Sequence, residues 1–170
     1  CHFFDMRRRR DIIKGRFHGG GIVYIFADEL PLFASVYSKD RRKPSYEEFE
    51  ILELLLREGP MTIASMKEIT GRLSKHITPV LHKLQKKFLV FEDQADDYWD
   101  RAWYLFETEF PDINLEEYEK VETLKILVRR FGYLNIFIAT KMLSSFYQLP
   151  EEEFQSAIAT LVWEGTQICE

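Results

Sequence analysis

Between Lys67 and Lys87 the chain carries six basic residues, Lys67, Arg72, Lys75, Lys83, Lys86 and Lys87, against one acid, Glu68. His76, Thr78 and His82 lie in the same stretch. The whole protein has a formal net charge of -5, so this is a positive island in an acidic chain. Cations at such density displace counterions from a phosphate backbone, and hydroxyl, imidazole and guanidinium groups among them can read base edges. A second positive run, Arg7, Arg8, Arg9 and Arg10, is the densest in the chain and could pair with phosphate in the same way. The ordinary alternative in both places is a solvated basic surface.

Other chemistry finds little support. His2, His18, His76 and His82 form no His-Glu-x-x-His pair and no Cys-His cluster, so no metal site is expected. The glycines of His18-Gly19-Gly20-Gly21 precede a strand-like run, Ile22 to Phe26, and no lysine-serine or lysine-threonine pair follows, which argues for a tight loop. No serine is framed as a nucleophile, no catalytic residue is assigned and no cofactor is expected.

The elements that would position the basic stretch run from Pro44 to Glu107. Tyr46, Phe49, Ile51, Leu52, Leu54, Leu55 and Leu56, set among glutamates, read as an amphipathic helix stopped by Gly59-Pro60. Thr62 caps a short second helix with Ile63, Met66 and Ile69 inward, closed by Gly71. A third helix turns Ile77, Val80, Leu81, Leu84 and Phe88 inward and the basic residues outward. Its start has two readings: a Ser74 cap leaves Pro79 deep in the helix, whereas a Thr78 cap puts Pro79 at its favoured first position. Two strand-like runs, Leu89 to Glu92 and Ala102 to Phe106, follow, joined by an acidic link. Three helices and a hairpin predict a winged helix-turn-helix. Glu92, Asp93, Asp96, Asp97 and Asp100 against Arg101 make the wing a poor neighbour for phosphate. Trp99, Trp103 and Tyr104 are expected to pack against the third helix or a neighbouring domain.

A similar order recurs downstream. Leu115 to Phe131, ended by Gly132, is expected as a helix with Tyr118, Val121, Leu124, Leu127 and Val128 inward. Ile136 to Phe146 is a second, with Ile136, Ala139, Met142 and Leu143 at helical spacing. A third begins at Leu149-Pro150, turns Phe154, Ala157, Ile158, Leu161 and Val162 inward, and ends at Gly165 before a strand start at Thr166 to Cys169. The fold class is therefore mainly α with small β-hairpin wings (α+β), a tandem winged helix-turn-helix. Residues 1–44 would be an N-terminal arm with the basic run and a short strand, 45–109 the first winged unit, and 110–170 a second helix-turn-helix or truncated winged helix.

The 170 residues suit one ordinary domain or two small ones, and 46% hydrophobic with 30% charged residues suit a folded chain. Cys1 and Cys169 make no disulfide framework, which points to a reducing compartment, read as cytoplasmic. No apolar run reaches membrane-spanning length, and no signal-peptide core is visible at the N-terminus, so no membrane role is expected.

The segments LSKHITPVLHKLQKKFLVFED and YWDRAWYLFETEFPD, with Arg129-Arg130-Phe131-Gly132-Tyr133 and Leu161 to Gly165 downstream, resemble bacterial winged-helix proteins related to the AlkZ/YcaQ crosslink-repair DNA glycosylases. The likeness covers roughly residues 45 to 165 and rests on helix lengths and turn positions. It implies a DNA-binding relative, in repair or transcription regulation, more than an active glycosylase. That family's Gln-x-Asp or Gln-x-Gln motif sits among apolar residues, whereas Gln94-Ala95-Asp96 here matches the letters in an acidic setting. The expected partner is double-stranded DNA. The alternative is a protein-interaction or structural module, with a protein partner or a homodimer using the aromatic surface. A glycosylase acting on damaged bases is the third reading.

Overall fold

The computed structural model describes residues 2–38, 41, 43–94, 99–134 and 139–168. It is mainly helical with two small antiparallel hairpins. In order come α1 (His2–Arg8), β1 (Ile12–His18), β2 (Gly21–Phe26), a 3-10 turn (Ala27–Glu29) and α2 (Leu30–Tyr37). Then follow α3 (Tyr46–Glu58), α4 (Ile63–Thr70), α5 (Ser74–Lys86), β3 (Val90–Glu92), β4 (Trp103–Leu105) and α6 (Phe106–Glu109). The chain continues with α7 (Lys120–Leu134), α8 (Thr140–Tyr147) and α9 (Glu151–Ile168).

Local chemistry sets the limits of the middle helices. Ser45 and Glu48 form a reciprocal capping box at the start of α3, with Ser45 N donating to Glu48 Oε2 at 2.6 Å and Glu48 N to Ser45 Oγ at 3.3 Å. Thr62 Oγ1 accepts from Ser65 N at 3.2 Å and caps α4, as its sequence position implies. Gly71 ends α4 in the left-handed region (φ 69°), a backbone conformation that strains any residue with a Cβ. α5 follows neither reading of its start. Leu73 is the capping residue, without a side-chain cap, and Pro79 lies inside the helix. Pro79 leaves the Lys75 carbonyl without its usual donor. Both residues are exposed, so water can serve that carbonyl.

The inner faces of α3, α4 and α5 meet β3 and β4 around Ile51, Leu54, Leu55, Met66, Ile77, Leu81, Leu84, Val90 and Trp103. Met61, between α3 and α4, forms an antiparallel bridge with Trp103, its N–H donating to Trp103 O at 3.2 Å and its carbonyl accepting from Trp103 N at 2.8 Å. That bridge closes the edge of the second hairpin against the helices.

Residues 2–38 carry more structure than the short strand expected of them. Phe17, Ile13, Ile25, Leu30 and Ala34 share a core with Phe88, Phe91, Phe106 and Leu115. The opposite side of α2, Leu32 and Val36, packs with Leu124, Leu127, Phe131, Leu143, Leu149 and Phe154 from α7 to α9. The hairpin and α2 thus lie between the two helical units. Tyr37 Oη donates to Tyr147 O at 2.6 Å, and the Ser35 and Thr123 hydroxyls meet at 2.6 Å.

The downstream helices depart from expectation in detail. α7 starts at Lys120, not Leu115, because the Asn114 side chain accepts from Glu116 N at 3.0 Å and holds a turn there. Gly132 lies within α7, and α9 runs past Gly165 to Ile168, where a strand start was expected. Val121, Met142 and Val162, placed inward by helical spacing, are exposed, as are Tyr118 and Ile69. The seam is narrower than the apolar stripe. Ile136 and Cys169 lie outside the described residues, and no third hairpin follows α9 among the described residues. No described helix is long and apolar enough to cross a membrane.

Candidate nucleic-acid interface

On α5 the buried side is Ile77, Val80, Leu81, Leu84 and Gln85. Lys75, Pro79, Lys83 and Lys86 are exposed and spaced by four, four and three, so they share one face. His76 is exposed beside Lys75, and Thr78 is half-buried. None of Lys75, Lys83 and Lys86 makes an ion pair with a described residue.

Of the other basic residues singled out by sequence, Lys67 is exposed, and most of the rest are engaged within the protein. Lys87 Nζ donates to Glu48 Oε2 at 2.7 Å. Glu48 is 3% exposed. Burial alone would raise its carboxyl pKa, but the Lys87 ammonium and the Ser45 N–H outweigh burial and hold it below the ordinary value. Arg72 pairs with Glu50 of α3. Arg7 is 3% exposed and lies over the Tyr24 ring, 5.6 Å from its centroid. Arg10 pairs with Glu109 and stands 4.4 Å above the Tyr104 ring. Arg9 pairs with Asp11 at 2.8 Å, and Arg8 is exposed. The arginine run therefore does not act as one free patch: two of its members fasten the N-terminal segment to neighbouring strands.

His82 faces Trp103, their ring centroids 6.3 Å apart. Burial lowers its pKa, and the nearby Arg16 and Lys86 charges push the same way, favouring the neutral imidazole. Trp103 and Tyr104 pack as expected, whereas Trp99 is fully exposed.

Sequence reasoning missed Arg16. It lies on β1, whose outer edge is held by two glutamines. Lys14 N donates to Gln94 Oε1 at 2.6 Å, and Arg16 N donates to Gln85 Oε1 at 3.2 Å. Gln94 Nε2 also donates to Glu92 O. Gln94 is thus a clamp between the two hairpins, both ends of its amide being used, while Asp96 lies outside the described residues. Between α5 and the turn of the first hairpin is an open cleft of about 560 Å³, lined by Arg16, Lys83, Lys86, Lys87, Glu48 and the Gly19-Gly20 turn, among others. The alternation of Lys14, Arg16 and His18 on β1 was the available sequence signal. Among the described residues no group of three or more His, Cys, Asp or Glu side chains is placed to hold a metal ion.

In comparisons with known proteins, no family model, no curated protein and no solved structure matches the chain.

Proposed function

We propose that residues 45–109 form a winged helix that binds double-stranded DNA, with α5 as the helix that enters the major groove. The observation that carries this reading is the row Lys75, Lys83 and Lys86: exposed, without ion pairs among the described residues, and opposite a fully buried apolar face. In a chain of net charge -5, three cations on one face of one helix give a local field suited to phosphate. His76 and Lys75, in the first turn of α5, stand where base edges are read. Lys83 and Lys86 would meet backbone phosphate. Arg72 and Lys87 act mainly by fastening α5 to α3. A role in repair or in transcription regulation is compatible with this chemistry.

The test is a duplex-binding titration of the full chain with Lys75→Glu and Lys83→Glu beside the wild type. Each reversal should weaken binding at least about tenfold at low salt. Binding that is absent at low salt, or indifferent to both reversals, removes the reading.

A second reading, a protein-docking or dimer-forming module, is favoured by the exposed Tyr46, Phe49 and Leu56 on the outer face of α3. A concentration-independent monomer mass and no gain in solubility on Phe49→Ala would count against it.

A further inference from the structure

The acidic link of the second hairpin is a poor DNA contact, and the structure offers another element in its place. We propose that the β1–β2 hairpin is the second backbone-contacting element, so that a phosphodiester strand passes through the cleft between its Gly19-Gly20 turn and the C-terminal half of α5. This rests on the DNA-binding reading of α5 and adds a site to it.

Charge comes first. Of the four cations lining the cleft, Lys87 is matched by Glu48. Arg16, Lys83 and Lys86 have no ion-pair partner among the described residues. Four cations around one open space against the single Glu48 carboxylate, which Lys87 pairs and Lys83 also attracts, favour an anion bearing several negative groups. On the β3–β4 side the balance is opposite: Glu92 meets Arg101 at 3.8 Å, and Asp93 and Asp100 are close in sequence.

Position comes next. The hairpin is not a loose arm. Gln85 of α5 and Gln94 of the second hairpin each bond one N–H of β1, which holds the strand backbone at Arg16 against α5, where the Arg16 and Lys86 charges both act on His82. A contact held this way loses little ordering entropy on binding. The turn is also shaped for close approach. Gly20 has φ 97°, and a Cβ there would lie 2.9 Å from Lys86 Cε. The missing side chain lets the lysine lie along the turn and leaves the cleft open. Arg16 has only a weak bond from its guanidinium to Gly20 O, at 3.4 Å, so the group is available to a ligand.

The experiment is a duplex-binding titration across salt for the wild type, Lys75→Gln and Arg16→Gln, with thermal melts of each. The amide resonances of Gly19 and Gly20 are followed in parallel, with duplex and, separately, with inorganic pyrophosphate. The Arg16→Gln variant should melt within a few degrees of the wild type. It should lose about 0.9 from the magnitude of the salt slope. Duplex should shift the Gly19 and Gly20 resonances in the wild type. If Lys75→Gln weakens binding and Arg16→Gln does not, the hairpin inference falls while the reading of α5 stands. If the wild type binds no duplex at low salt, both fall. If pyrophosphate saturates the glycine shifts and duplex leaves them unmoved, the cleft serves a free phosphate compound and the inference falls.

Discussion

Replacing Lys87 by methionine separates structural cations from binding cations. Lys87 keeps 17% of its side chain exposed and Glu48 only 4%. Removing one partner of a buried pair costs about 3–5 kcal/mol, because the other charge stays buried without compensation. The residual exposure of Lys87 places this case at the lower end, about 3 kcal/mol. For a chain of this size that corresponds to a fall in Tm of about 6–12 °C. The pH dependence has a definite sign. The Glu48 pKa is depressed in the folded protein, so its contribution is complete above the ordinary carboxylate value of 4.5 and is lost as pH falls through the lower folded value. Without Lys87, burial is opposed by the Ser45 N–H and the Lys83 charge, and the carboxyl pKa rises. The stability gap between variant and wild type should therefore be widest near neutrality and close in acid. Adding Glu48→Gln, which keeps an oxygen for Ser45 N, should recover more than half of the loss. Calorimetric melts between about pH 3 and pH 7 measure all of this. A Tm shift under about 2 °C, or a double variant no more stable than Lys87→Met, would refute the reasoning.

Three further outcomes follow from the same geometry. Pro79→Ala restores a donor for the exposed Lys75 carbonyl within α5 and should stabilise the protein by about 1–3 kcal/mol, read as a rise in Tm. Gln94→Ala leaves the Lys14 N–H without its acceptor and unfastens the two hairpins, at a cost of about 1–3 kcal/mol and with faster amide exchange at Lys14 and Arg16. His18 and His82 both have pKa values lowered by burial, so their stabilising contribution is complete above the ordinary value of 6.5 and is lost as pH falls below it; denaturant midpoints at mildly acidic and neutral pH should show the decline, and His82→Gln should lessen it.

Much of the 45–109 unit was legible because its signals are local. Thr62, Gly59 and Gly71 mark helix ends by their own backbone chemistry, and Ile77, Val80, Leu81 and Leu84 mark the inner face of α5 by spacing. What stayed hidden depends on distant partners. Nothing near Lys87 in sequence announces Glu48, and nothing near Arg10 announces Glu109 or the Tyr104 ring. β1 was concealed because Gly15 interrupts an otherwise apolar alternation. In the fold the Phe17 ring occupies the space above that glycine, where a Cβ would come within 2.3 Å of Phe17 Cζ. Arg16 went unread with it. Val121, Met142 and Val162 have the right period for burial, but α2, α7 and α9 meet along a seam too narrow to cover them.

The most direct test of the central claim is the salt dependence of duplex binding by the wild-type chain. Lys83, Lys86 and Arg16 supply three phosphate contacts. They predict a log–log slope of about -2.7, or a loss of affinity of about 40-fold between about 50 and 200 mM salt. A slope near zero, or no binding at the lowest salt, would contradict it.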